Sequence, residues 1–281
     1  IAGFIGLVIG VISYHQMKDR PQVSLWSDIL SALQGELGAI TGQPTHGIFI
    51  AFEGGEGTGK STQSKLLAEW LEQEGETVLH TREPGGTNLG KELRQILLGH
   101  ETGEINPRAE ALLYAADRAH HVGSVIRPAL AKGEVVITDR YFDSSIAYQG
   151  AGRVLIPTEV ARINRWATET LYPTLTILID LPAVIGLGRL QSRDRLEAEP
   201  TEFHERVRQE FLQLALLDPE RYFVVDGTQT LQEIHEAIIA RVAELPALKR
   251  NAQSKEARGI LRPIRVATNV VSRATKKTKK Q

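Results

Sequence analysis

Four residues at fixed spacing, Gly54, Gly59, Lys60 and Ser61, satisfy G-x-x-x-x-G-K-[ST] within the run Gly54-Gly55-Glu56-Gly57-Thr58-Gly59-Lys60-Ser61-Thr62. Glycines let a backbone curl until successive N–H groups point inward. That makes a cradle for phosphate oxygens, and a following helix adds its positive end. A lysine here reaches β- and γ-phosphates, and the serine hydroxyl sits on Mg²⁺. The bland alternative is an ordinary glycine-rich turn. Both flanks that a phosphate loop requires are nevertheless present. Residues 48–52 are apolar, β-branched and aromatic, as in a short buried strand, and after Lys60 the residues Leu66, Leu67, Trp70 and Leu71 share one helical face. The chain is therefore expected to bind a nucleoside triphosphate.

The elements that hold this loop follow from the rest of the pattern. Strand-like runs at 77–81, 135–138, 175–181 and 222–225 alternate with helical patterns at 60–74, 88–99, 107–132, 158–169, 202–216 and 230–244. Such alternation predicts an α/β fold: a five-stranded parallel sheet, helices on both faces, and ligands at the carboxyl ends of the strands. At 281 residues there is room for one domain of about 200 residues plus flanks. The chain has no cysteine, which excludes disulfides and thiolate metal sites and fits an intracellular compartment. Of the eight histidines only His120 and His121 are paired; adjacent helical residues diverge, so they read as solvated rather than as ligands.

The flanks differ from the body. Residues 1–14 are uncharged and mostly apolar, include Gly6-x-x-x-Gly10, and are followed by Lys18 and Arg20. Too short to span a bilayer alone, the run reads as the cytoplasmic end of a truncated membrane helix, which would place the body on the inner face of the membrane. Residues 15–46 read as a linker with one amphipathic helix, on which Leu25, Trp26, Ile29, Leu30, Leu33 and Leu37 recur at helical spacing. The domain is expected to occupy 47–245, with a basic, disordered tail over 246–281. From Lys249 to Gln281 there are eleven Lys or Arg against one acid, so a net −1 chain divides into a tail near +10 and a remainder near −11. The tail suits an anionic lipid or nucleic-acid surface; a solubilising role is the other reading.

Further motifs narrow the chemistry. Thr81-Arg82-Glu83-Pro84-Gly85-Gly86-Thr87 follows the second strand, and Leu112-Leu113-Tyr114-Ala115-Ala116-Asp117-Arg118 lies in a long helix. Asp139-Arg140-Tyr141 ends the third strand and runs on to Ser144-Ser145-Ile146-Ala147-Tyr148-Gln149-Gly150, while Ser192-Arg193-Asp194-Arg195-Leu196-Glu197 follows the fourth. Two phosphorylated substrates brought end to end repel, so a phosphoryl-transfer site must supply cations. In order and spacing over residues 47–245 these motifs resemble the thymidylate kinase family, whose members make dTDP from dTMP and ATP on a phosphate-loop nucleoside-monophosphate-kinase fold.

The resemblance implies roles residue by residue. Arg94 and Arg140 match the arginines that bind the acceptor phosphate; the alternatives are a surface residue and an ion-pair partner. Tyr114 matches an aromatic, often Phe, that stacks on thymine, and Arg118, four residues on, matches the arginine at the base edge. Ser145 and Gln149 match base contacts, Tyr148 lies under the sugar, and Pro84 bends the chain. Glu56 matches a carboxylate near the acceptor's 3′-hydroxyl and the metal. Asp139, with Ser61, is expected to hold Mg²⁺; a helix cap is its other reading. The phosphate loop lacks arginine, so the chain resembles the bacterial branch whose mobile lid supplies it. Arg193 is the expected catalytic lid arginine, with Arg189 and Arg195 on ATP and Lys60, Arg140 and Glu56 completing the catalytic set. The family also implies a homodimer. Two rivals stay open: a deoxynucleoside kinase using Glu53 as base, and a catalytically silent nucleotide sensor attached to a membrane protein.

Overall fold

The structure, a computed structural model, describes residues 47–248. The expected apolar segment, the linker helix and nearly all of the basic tail fall outside the described residues. Among the described residues no helix is long and apolar enough to cross a membrane.

Five strands form one parallel sheet in the order β2-β3-β1-β4-β5: β1 is Ile48–Glu53, β2 Val78–Arg82, β3 Val135–Asp139, β4 Leu175–Asp180 and β5 Tyr222–Asp226. The central strand β1 is buried along its whole length, because helices cover both faces of the sheet. Its side chains alternate. Ile48, Ile50 and Phe52 enter a cluster with Leu67, Leu71, Ile137, Ile177 and Ile238, whereas Phe49 and Ala51 enter one with Val122, Ile126, Leu130 and Tyr141.

The main helices are α1 (Lys60–Gln73), α2 (Asn88–Leu98), α3 (Pro107–His121), α4 (Arg127–Ala131), α5 (Phe142–Ser145), α6 (Pro157–Ala167), α7 (Ala183–Gly188), α8 (Thr201–Leu217) and α9 (Leu231–Ala243). The single helix expected over 107–132 is α3 and α4 joined by a π turn, Val122–Ile126. Pro128 explains it: proline offers no N–H to the carbonyl four residues back, and the wider turn relieves the clash. A second π segment, Ile146–Gly152, follows α5 and carries Tyr148 and Gln149 inward; its short run of small residues and glycines gives no apolar period to read. The folded body also runs past 245, since residues 246–248 are helical and Leu248 packs into the first cluster.

Pairing sets the strand ends level. Phe52 is opposite Asp139, and Arg82 is opposite Asp139 from the other side. The chain leaving β1, β2 and β3 therefore enters one crevice, at the point where the strand order reverses.

Just beyond this crevice Val154 has φ 58° and is 79% exposed. A β-branched residue in the left-handed region loses about 1–2 kcal/mol, and an exposed one has little packing to offset it. Val154→Gly is expected to raise stability by about 0.5–1 kcal/mol after glycine's greater unfolded-chain entropy is subtracted. Urea denaturation reads this; an unchanged or lower midpoint would show that the strain is absent.

Candidate active site

The turn from β1 into α1 is shaped by contacts no side chain could share. A Cβ on Gly57 would come within 2.1 Å of the Gly186 carbonyl oxygen on α7, and one on Gly186 would meet the Glu56 carbonyl at the same distance. Gly59, at φ 93°, caps α1. Lys60 is buried and donates from Nζ to the Gly55 carbonyl at 2.6 Å. Burial, and then the charge of Arg140, hold its ammonium down to about 8. Ser61 hydrogen-bonds Asp139 through Oγ and Oδ2, so the two expected metal ligands meet. Two hard oxygens at the mouth of a phosphate loop suit Mg²⁺, which keeps waters and phosphate oxygens as its other ligands. Among the described residues there is no group of three or more His, Asp or Glu able to hold a metal by itself.

Arg140 joins the loop to the opposite wall. Its Nη1 donates to the Gly54 carbonyl at 3.1 Å and to Ser144 Oγ at 3.0 Å, and its Nη2 donates to Glu56 at 2.7 Å and to the Tyr148 hydroxyl at 3.0 Å. The guanidinium also lies over the Tyr148 ring, 4.9 Å from its centre. Its backbone is at φ 70°, an uncommon conformation for a residue other than glycine. Burial alone would raise the Glu56 carboxyl, but Arg140 first, then Lys60 and the Tyr148 hydroxyl, bring it down to about 2.

One crevice is lined by Pro84, Tyr114, Arg118, Arg140, Ser145, Tyr148 and Gln149, seven residues singled out from the sequence. Glu83, Ser144 and Leu196 complete it. Arg94 lies outside this lining, on α2, where its Nη1 donates to the Pro84 carbonyl at 3.0 Å. The Glu83–Pro84 bond is cis. Arg118 is fully buried and donates to Glu83 at 2.7 Å, to Ser145 Oγ at 3.0 Å, to the Tyr141 carbonyl at 3.2 Å and to Asn164 Oδ1.

The lid arginines separate. They sit on residues 189–200, which form neither helix nor strand. Arg189 donates to the Gly57 carbonyl of the phosphate loop at 3.2 Å, and the Arg193 side chain is exposed. Arg195, expected beside ATP, is instead held at the acceptor wall, where it donates to the Leu97 carbonyl at 2.8 Å and to Glu110 at 2.5 Å. The reason is the buried carboxylate of Glu110, which draws cations to itself.

Several site residues escaped the sequence reading or were given another place in it. His121 is fully buried, not solvated: one ring nitrogen meets Glu83 at 2.9 Å and the other Thr81 at 2.8 Å. Asp117 is buried beneath Gly85, whose N–H it accepts at 3.3 Å; burial and the charge of Glu83 push its carboxyl up to about 6. Glu53, the suggested base, accepts from the N–H groups of Tyr141 and Ser144 at 2.9 and 3.1 Å and from Ser144 Oγ at 2.6 Å. It orders the turn after β3. Burial, then the charge of Asp143, raises it to about 7.

The family model described as thymidylate kinase matches residues 52–238, well over half of the chain. This chain belongs to the thymidylate kinase family. It is 57% identical over 205 residues to a thymidylate kinase of Clavibacter sepedonicus, covering 72% of this chain and 97% of that protein. A thymidylate kinase of Cutibacterium acnes is 52% identical over 199 residues, covering 71% and 98% of the respective chains. The crystal structure of thymidylate kinase from Ehrlichia chaffeensis superposes with a TM-score of 0.58 at 33% identity, over 70% of this chain and 98% of that one. The fold is thus the phosphate-loop nucleoside-monophosphate-kinase fold, and the thymidylate kinase motifs lie on its strand ends and on α3.

Proposed function

We propose that this member of the family transfers the γ-phosphoryl group of ATP to dTMP, giving dTDP and ADP. The observation that carries the reading is Arg140, which bonds at once to the phosphate loop, through Gly54 and Glu56, and to the acceptor wall, through Ser144 and Tyr148. ATP lies over Gly54–Thr62 with Lys60 at its terminal phosphates and Arg189 at the loop's edge. Ser61 and Asp139, which meet at the loop's mouth, would hold Mg²⁺ with the nucleotide, where the ion would neutralise phosphate charge. The acceptor phosphate meets Arg94 and Arg140, its sugar lies over Tyr148, and its base lies against Tyr114, Arg118, Ser145 and Gln149. A phosphate oxygen of dTMP attacks the γ-phosphorus in line as the bond to the β-phosphate oxygen breaks, and ADP leaves with that electron pair. The nucleophile is already anionic, so no general base is needed. Glu53 spends three of its acceptor sites ordering the turn after β3, a structural task that accounts for its place without a role as base.

ADP release with dTMP, set beside ADP release with thymidine, is the test. Turnover confined to thymidine, or absent with both, overturns the reading; the second result would favour a regulatory nucleotide sensor.

Arg193, exposed on the irregular lid, is free to swing over the transferring group. Arg193→Ala is expected to lower kcat about 10- to 100-fold while the KM for dTMP stays within about twofold. An unchanged kcat removes Arg193 from the chemistry. We further propose a homodimer through the adjacent helices α2 and α3, which expose Leu89, Ile96 and Leu112; light scattering reads its mass. Anchorage through residues 1–14 and an anionic surface for the tail are read by vesicle co-sedimentation.

A further inference from the structure

Glu110 has no part in the mechanism above, yet it is fully buried and sits behind the base-binding wall in the first turn of α3. Its Oε1 accepts from Gln149 Nε2 at 2.9 Å and from Arg153 Nε at 3.2 Å. Its Oε2 accepts from Arg153 Nη2 at 3.3 Å and from Arg195 Nη2 at 2.5 Å. Burial opposes the charge, but the hydrogen bonds from Gln149, Arg153 and Arg195 outweigh it and hold the carboxyl below its ordinary range. Glu110 is therefore an ion that can only accept.

That fixes its neighbour. A glutamine amide has a donating end and an accepting end, and a purely accepting partner takes the donating one. Gln149 gives its NH₂ to Glu110, and among the described residues no group donates to its Oε1. Gln149 lines the acceptor crevice with Arg118. Four hydrogen bonds leave Arg118 one N–H of its five. The wall thus offers a donor from Arg118 beside an acceptor from Gln149. Thymine and uracil complement that pair with O4 and N3–H; cytosine, with an amino group and an unprotonated N3, opposes both.

We propose that Glu110 is a specificity-determining positioning residue: by locking the Gln149 amide with its oxygen toward the acceptor, it selects a 4-oxo pyrimidine bearing N3–H and rejects cytosine. The inference rests on the dTMP kinase reading. It assigns the selection to a residue that does not touch the base.

Glu110→Gln provides the test. The oxygen of the new amide stays with the two guanidiniums, which places its NH₂ against Gln149. Gln149 then turns its oxygen away from the pocket and presents its own NH₂ to the base. The ratio of kcat/KM for dTMP to that for dCMP is expected to fall about 10- to 100-fold, with Glu110→Asp keeping most of the wild-type ratio. A residue that merely supports the fold would lower both values together. A folded Glu110→Gln enzyme with an unchanged ratio overturns the proposal. Wild type inactive on dTMP overturns the functional reading instead, so the two failures are distinguishable. Should Glu110→Gln fail to fold, side-chain amide NMR on the wild type decides. The Gln149 NH₂ protons are expected to stay protected from exchange and to show no Overhauser contact with bound dTMP. Contacts from those protons to the base overturn the proposal.

Discussion

Arg140→Ala is expected to lower kcat/KM for dTMP phosphorylation by about 10³-fold or more, the scale on which phosphoryl-transfer enzymes depend on a cation at the transferring group. The geometry gives the reason. One guanidinium is bonded to Gly54 and Glu56 of the phosphate loop and to Ser144 and Tyr148 of the acceptor wall, so its loss removes both charge and registration between the two substrates. Arg140→Gly separates catalysis from strain. Both variants lack the guanidinium and should be equally slow, but only glycine relaxes the φ of 70°, so the Gly variant should be the more stable by about 1 kcal/mol. The same substitution has a pH signature through Glu56. With its folded pKa lowered from 4.5 to about 2, Glu56 contributes stability above pH 4.5, and the contribution is lost as pH falls toward 2. Arg140 is the leading favourable cause, so the stability gap between wild type and Arg140→Ala should be widest above pH 4.5 and narrow below it. Steady-state kinetics and urea denaturation from pH 3 to 7 read both effects. A loss of less than about tenfold in kcat/KM would remove Arg140 from the transfer step.

Much of this site was legible because its motifs are local. A strand, a glycine-rich turn and a lysine at the head of a helix are consecutive in sequence, and Asp139 and Arg140 close an apolar run. What escaped was the buried polar layer beneath. Glu83, 35 and 38 residues from its partners Arg118 and His121, and Glu53, 88 and 91 residues from Tyr141 and Ser144, are joined only by folding. Nothing in a single sequence marks such an acid as buried. One signal was available on α3. Glu110, Tyr114, Asp117, Arg118 and His121 recur at the i, i+4, i+7, i+8 and i+11 positions, the stripe an amphipathic helix turns to the core, and all five are buried. A polar stripe in an otherwise apolar helix points to a site. Reading His120 and His121 as an adjacent pair hid the membership of His121 in that stripe. The lid failed differently: the spacing of Arg189, Arg193 and Arg195 says nothing about which one a buried carboxylate on α3 will capture.

Lys60→Met carries the opposite pairing of effects: turnover lost and the nucleotide-free protein made more stable. Activity should fall about 10³-fold or more, since methionine keeps the apolar stem but offers no charge to the β- and γ-phosphates. Stability should rise because the ammonium is buried beside Arg140. Its folded pKa of about 8, against an ordinary 10.5, means that the charged form is disfavoured in the fold by about 3 kcal/mol at pH 7. The sign can be tested. Between pH 8 and 10.5 the unfolded chain holds the lysine proton more tightly than the folded protein does, so wild-type stability gains from this group as pH rises through that window. The methionine variant has no such group, and its advantage, present below pH 8, should shrink toward pH 10.5. ATP reverses the balance, because phosphate charge at Lys60 favours the ammonium. Nucleotide should therefore raise the wild-type midpoint markedly and that of Lys60→Met very little. A methionine variant less stable than wild type at pH 7, or one stabilised equally by ATP, would mean that the lysine is anchored by Gly55 and the acids around it rather than held in reserve for phosphate.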